Sequence, residues 1–407
     1  MAAAPAAACP ETLNIVSVDP IAAGAVALPL VVGGYAYVGY PISLAAIRLL
    51  KGARRVPTPH DVSAWPEITI TVPCYNEERG IAAAIDRLLA LDYPADRRHI
   101  LVLSDASTDR TDEIVRSYAD RGVELLRLPA RGGKSAAENA AYPKLRGTLV
   151  VNTDATTVIP AHALKPLVAA FQDPTVGVAS GRDVSIAAVQ QEQSGGEAGY
   201  VGYEMWVRGL ETAVDGIIGA SGCFYGIRRD LYPSAFPEHL SRDFGSPLLA
   251  RAAGYRAVSV ESAVCGVPRT GALQQEYRRK VRTMARGLRT LWYQRALLNP
   301  LRYGWFAWML ASHKLARWLV YPASLVAAAG LAVAATRSLA ALVLAAAAVA
   351  VLGLGWLGWQ WPKERRAPKL ISSIAFIVAS NVAGVAAWWR ALSGQQDAVW
   401  EPTRRAG

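Results

Sequence analysis

Apolar and polar positions fall in blocks along this chain, and the blocks differ in period. Residues 21–47 carry no charged side chain, a run long enough for a helix to span a bilayer. Lys51, Arg54 and Arg55 follow at once, and a basic flank of this kind marks the cytoplasmic end of a span. The run is too long for a signal peptide and has no basic region before it. A retained helix is therefore expected, with residues 60–300 in the cytoplasm.

The pattern then shortens. ITITVP (68–73), HILVLSD (99–105), VELLRL (123–128) and TLVVNTD (148–154) are β-rich runs, and another strand is expected near 176–180. Helical spacing separates them over 78–90, 109–120 and 134–145, and again after Pro160. Strands alternating with helices of this length predict βαβ units and a doubly wound, mostly parallel sheet. Residues 273–297 return to helical period, with apolar positions at 273, 277, 281, 284, 288 and 291 against seven Arg or Lys and one Glu. Such a basic amphipathic helix is expected in the headgroup region, apolar side down.

Apolar spans resume at 318–336, 338–361 and 370–389, with the basic loop PKERRAPK (362–369) between the last two. One span before the α/β region and three after it put Arg404 and Arg405 outside. A re-entrant segment over 304–317 would reverse that, because His313, Lys314 and Arg317 suit a bilayer centre poorly. The expected division is 1–60 with one transmembrane helix, 61–270 catalytic, 271–300 interfacial, and 301–407 with about three transmembrane helices.

Composition sharpens this picture. Of 407 residues, 52% are hydrophobic and only 18% charged, too apolar for an ordinary soluble enzyme. The net charge of +11 comes without zinc-finger spacing or an RNA-recognition signature, so nucleic acid is not an expected partner. A membrane surface or an anionic substrate accounts better for basic residues gathered beside apolar runs. Cys9, Cys74, Cys223 and Cys265 are far apart and form no CxxC pair, which argues against a disulfide framework or zinc site.

Asp105 and Asp154 each stand where a parallel strand gives way to a helix. In a doubly wound sheet those ends share one edge, and two carboxylates there suit Mg²⁺ or Mn²⁺ with its phosphates. Either alone is equally a helix cap, the use that fits Asp109 and Thr111. ARGGKSAAEN (130–139) is not a P-loop, because Leu128 stands where its first glycine belongs. Lys134 at a helix start suits either a phosphate or a solvated turn. Asp243, in SRDFGSPLL (241–249), adds a carboxylate able to act as a base toward a hydroxyl.

Taken together, residues 66–320 resemble a membrane-bound family 2 glycosyltransferase with the GT-A fold, of the kind of bacterial poly-N-acetylglucosamine, hyaluronan and cellulose synthases. PCYNEE (73–78) resembles the opening strand-to-loop motif, which implies Tyr75 and Glu77 beside the nucleotide base. SDASTD resembles the first Asp motif, placing Asp105 at the uridine or diphosphate, with Lys134 near the same diphosphate. TDATT resembles DxD, which implies Asp154 as the metal holder, although Thr156 replaces its second acid. SRDF resembles the TED-type motif with Arg242 for its acid, which implies Asp243 as the acceptor's base. Gln275, Arg278 and Arg279 fit a QxxRR version of QxxRW, as a shift to Glu276, Arg279 and Lys280 nearly does. SHKLARWLVYP (312–322) resembles the membrane entry of the bacterial synthases.

The resemblance implies an inverting transfer from a UDP-sugar, with Mg²⁺ or Mn²⁺, to a growing polysaccharide or oligosaccharide. It places the chain in a bacterial cytoplasmic membrane, with its catalytic domain on the cytoplasmic side and an accessory export subunit as a possible partner. The alternatives are a single-sugar transfer to a lipid acceptor and a non-catalytic membrane scaffold that keeps a sugar-nucleotide domain.

Overall fold

In the computed structural model the described residues are 20–52, 54–186, 195–268, 273–362, 365 and 367–395. Cys9, Arg404, Arg405 and part of the basic loop lie outside them. The described chain divides into two units: one takes residues up to Gly39 with Lys314–Ala386, the other Tyr40–His313 and the residues from Ala387.

Elements run in the order α1 (Pro20–Gly34), α2 (Tyr40–Lys51), β1 (Ile68–Cys74), α3 (Ile81–Leu89), β2 (Arg98–Ser104), α4 (Thr111–Arg116) and β3 (Val123–Arg127). Next come α5 (Lys134–Ala140), β4 (Leu149–Thr153), α6 (Leu164–Ala169), β5 (Val176–Ser185), α7 (Gly195–Val214) and β6 (Phe224–Arg228). Then follow α8 (Arg242–Ala252), β7 (Arg256–Val267), α9 (Leu273–Tyr293) and α10 (Pro300–Leu310). The apolar helices α11 (Arg317–Ala335), α12 (Leu339–Trp359) and α13 (Lys369–Leu392) come last.

Seven strands form one sheet in the order β3-β2-β1-β4-β6-β5-β7. β1 and β4 are buried at every residue, as β-branched runs covered on both faces by helices must be. Their pairing is parallel, Ile68 opposite Leu149, as is that of β1 with β2 and of β2 with β3. Strand order reverses between β1 and β4, which puts the ligand crevice of a doubly wound sheet at their carboxyl ends. β6 is the exception, antiparallel to both β4 and β5. The expected GT-A-like, mostly parallel sheet is thus present, with β6 and β7 beyond the strands read from sequence. The helix expected over 134–145 stops at Ala140, and a short 3₁₀ turn at Tyr142–Lys144 completes the connection.

The apolar stripe of α9 falls on the expected period, but protein covers it. Val281, Met284, Leu288 and Leu291 are buried, and the Ser241 amide ahead of α8 donates to Thr290 Oγ1 at 2.9 Å. Trp292 and Tyr293 at its end stay 72% and 57% exposed.

Among the described residues, four helical segments are long and apolar enough to cross a membrane: Pro20–Lys51, Pro300–Ala335, Leu339–Trp359 and Lys369–Leu392. In the first unit small residues set the packing. A Cβ on Gly330 would lie 2.6 Å from that of Ala25, and one on Gly358 2.6 Å from that of Ala375, the close approach expected where helices associate without water. Residues 304–317 lie within the Pro300–Ala335 run, which has a non-helical residue at Gly304 and a π-helical turn over Ala311–Ala316.

Candidate active site

The loops after β1 and β2 are stitched together. Asn76 accepts from the Thr108 amide at 2.8 Å, the Glu77 amide donates to Thr111 Oγ1 at 2.8 Å, and the Glu78 amide to Asp109 Oδ2 at 3.1 Å. Asp109 also accepts from the Thr111 amide at the start of α4, one residue ahead of the N-cap position, which Arg110 holds without a side-chain bond. Asn76 and Ala106 both adopt positive φ, 52° and 57°. For Ala106 that conformation costs about 1–3 kcal/mol, and it sits directly behind Asp105. The Asp105 carboxylate is 2% exposed and accepts from two consecutive backbone amides, Gly132 at 2.7 Å and Gly133 at 2.8 Å.

Those amides belong to the loop that opens α5. Gly133 has φ 88°, a conformation only glycine takes without strain, and it turns the chain so that Lys134 starts the helix. Lys134 Nζ donates to Asp154 Oδ1 at 2.6 Å and to the Gly222 carbonyl at 2.9 Å. Burial alone would pull the Lys134 amine down, but Asp154 and Glu138 outweigh it and the net direction is up. Lys134 is a fixed cation at working pH. Arg131, in the same loop, lies 3.9 Å over the Tyr75 ring.

The antiparallel course of β6 brings its start to this edge, with Phe224 opposite Thr153. Gly222 therefore lies beside Asp154, and a Cβ there would come within 3.0 Å of Asp243 Oδ2. Asp243, in the first turn of α8, accepts from Ser241 Oγ at 2.5 Å. Ser221 Oγ donates to Asp183 Oδ1 at 2.5 Å. Burial, then Asp154 and Asp183, push the Cys223 thiol well above its ordinary value, so it stays protonated and is no nucleophile.

Of the residues singled out from sequence, Asp105, Lys134, Asp154 and Asp243 form one chain of contacts, and Tyr75 and Glu77 stand on the loop beside it. Gln275, Arg278 and Arg279 stand exposed on α9, and Arg279 pairs with Glu276 at 2.6 Å. From α9 it is Arg286 that reaches inward, donating to Ser135 Oγ at 3.0 Å and to the Glu238 carbonyl at 2.8 Å. Sequence reasoning also passed over Glu138. Its one signal is a charge four residues after Lys134 among alanines, hence on the same helical face.

Among the described residues no group of three or more His, Cys, Asp or Glu side chains could hold a metal ion. Asp154, about a quarter exposed and with Lys134 on one oxygen, offers a single carboxylate. That donor set suits a hard cation arriving with phosphate and water, not one caged by protein.

A GT-A-like domain with carboxylates at its switch point, joined to long apolar helices, defines a class of sugar transferase. Residues 69–234 match the sequence family described as glycosyl transferase family 2. An N-acetylglucosaminyltransferase of Bradyrhizobium elkanii is 30% identical over 124 residues, covering 30% of this chain and 68% of that protein. A beta-monoglucosyldiacylglycerol synthase of Synechocystis sp. is 34% identical over 145 residues, 33% of this chain, and the chain spans only 30% of that relative's length. The solved mannosyltransferase of Pyrobaculum calidifontis, in complex with GDP-Man and Mn²⁺, shares the fold. Its TM-score is 0.69 at 24% identity, covering 92% of this chain and 99% of that one. The chain belongs to glycosyl transferase family 2.

Proposed function

We propose that this chain moves one sugar from a UDP-sugar to a hydroxyl of a lipid acceptor at a membrane face, with inversion at the anomeric carbon. The observation that carries this reading is the convergence of Lys134, Asp154 and Asp243 at the start of α5. Asp243 is the base: it takes the hydroxyl proton as the acceptor oxygen attacks the anomeric carbon and the bond to the diphosphate oxygen breaks. Lys134 meets the charge that grows on the departing diphosphate. Tyr75, Glu77 and Asp105 border the nucleoside. Asp154 is the residue that would hold Mg²⁺ or Mn²⁺, which neutralises diphosphate charge when bound.

A lipid acceptor is favoured because no Trp follows Arg278 in the QxxRR segment, where the processive synthases' QxxRW motif would supply part of an acceptor platform. The diacylglycerol-glucosylating relative supports it too. The likeness to N-acetylglucosaminyltransferases supports a second reading, in which a growing oligosaccharide or polysaccharide is the acceptor, with or without an export subunit.

The test supplies purified protein in lipid nanodiscs with diacylglycerol, Mn²⁺ or Mg²⁺, and UDP-glucose, UDP-N-acetylglucosamine or GDP-mannose. Product is followed by mass spectrometry and nucleoside diphosphate by coupled assay. A lipid carrying one sugar supports the proposal. A ladder of products moves the assignment to the second reading, and no diphosphate release with any donor leaves the scaffold reading.

A further inference from the structure

Where the family resemblance has an acid ahead of the base, this chain has Arg242, and the residue is neither exposed nor idle. Its side chain is 3% exposed and its Nε lies 3.1 Å from Oε2 of Glu138, itself 1% exposed. Arg242 Nη2 also donates to Asn139 Oδ1. The rings of Tyr232 and Phe236 lie 4.9 and 5.2 Å from the guanidinium carbon.

This pair is badly made for stability. Both Glu138 oxygens, and Arg242 Nε and Nη1, are buried without an aligned hydrogen bond. An ion pair so deeply desolvated and so imperfectly bonded gains little over an apolar pair of equal volume, so its stabilising value does not explain its presence. Its position does. Glu138 sits one helical turn after Lys134 on α5, and Arg242 immediately precedes Asp243 on α8. Through Lys134, α5 holds the Gly222 carbonyl, and Gly222 lies against the Asp243 carboxylate. Through Glu138 and Asn139 it holds Arg242. Two points one turn apart on α5 thus fix Asp243 from both sides.

We propose that Glu138 and Arg242 are a positioning pair that sets Asp243 against the Lys134–Asp154 contact. The inference rests on the reading of Asp243 as the base. Burial, opposed by Lys134 and Arg242, raises the Glu138 carboxyl, in keeping with a pair held for its geometry. Displacement of a reacting group by about 1 Å can cost roughly 10²-fold in rate, so the effect belongs to turnover and not to donor binding.

The test is the double variant Glu138→Gln/Arg242→Met, which removes both charges at near-constant volume. Wild type and variant are compared for melting temperature, UDP affinity, donor KM and kcat. The expected result is a melting temperature within about 4 °C of wild type, UDP affinity and KM within about twofold, and kcat down roughly 10- to 100-fold. A folded double variant with wild-type kcat overturns the proposal. If the double variant does not fold, Arg242→Lys decides. It keeps the charge but loses the planar fork toward Asn139: a kcat loss at unchanged KM supports the pair, and wild-type kcat overturns it. A wild-type protein that binds UDP yet transfers from no donor overturns the base assignment, and the positioning role falls with it.

Discussion

β3, β2, β1 and β4 meet only parallel neighbours among themselves, whereas β6 runs against both of the strands it joins. The two halves of the sheet consequently reach the crevice in different ways. In the parallel half the crevice is met by strand ends: Tyr75 follows β1, Asp105 follows β2 and Asp154 follows β4. In the other half it is met by a strand beginning, because antiparallel pairing lays the start of β6 beside the end of β4. Gly222 arrives by that route, and Asp243 comes from the helix before β7. One half thus supplies the proposed donor site and the other the proposed base. α5 joins them through Lys134 and the Glu138–Arg242 pair.

The largest effect that would break this division is expected at Asp154. Asp154→Ala removes the carboxylate proposed to meet the cation and leaves Lys134 with the Gly222 carbonyl but without its ion-pair partner. Turnover should fall about 10²–10³-fold in a steady-state assay of diphosphate release, and a loss below tenfold would separate Asp154 from the chemistry. Next comes Gly222→Ala. The added Cβ would stand 3.0 Å from Asp243 Oδ2, so the carboxylate must shift. A kcat loss of about tenfold at unchanged donor KM is expected, since the change touches only the base side.

The bridge between the halves has a pH signature. The Glu138 carboxyl is raised from its ordinary 4.5, chiefly by burial. A group whose folded value is raised contributes stability below its unfolded value and loses that contribution as pH rises through the folded one. Glu138→Gln lacks this loss. Its unfolding free energy relative to wild type, from denaturant melts, should therefore climb as pH rises from 4.5 upward, by at most about 1.4 kcal/mol per pH unit. A flat difference would place Glu138 in contact with water. The smallest effect is expected for Arg278→Ala on the outer face of α9, with kcat and donor KM both within about twofold. A tenfold loss would return α9 to the acceptor site.

The parallel half was legible because β1, β2 and β4 are buried almost throughout and read as apolar runs, so Asp105 and Asp154, which end two of them, were easy to see. The other half hid its geometry. FYGIR (224–228) contains an arginine and a glycine and follows a helix, and its antiparallel course depends on pairing with both β4 and β5, which no local period encodes. The amphipathic pattern of α9 gave its apolar stripe correctly but not what covers it, since a membrane and a protein surface ask for the same residues. Arg242 read as a departure from a motif because its partner Glu138 lies on a distant helix, and a compensating charge is visible only once α5 and α8 are packed together.

The most direct test of the division of labour is Asp243→Asn, which keeps the shape of the side chain and removes its basicity. Nucleotide-sugar affinity by calorimetry, with Mn²⁺ present, is set beside transfer to acceptor under the same conditions. The account predicts donor affinity within about twofold of wild type and transfer reduced about 10²–10⁴-fold. Transfer at the wild-type rate, or donor affinity lost along with it, would contradict the assignment of binding to one half of the sheet and proton removal to the other.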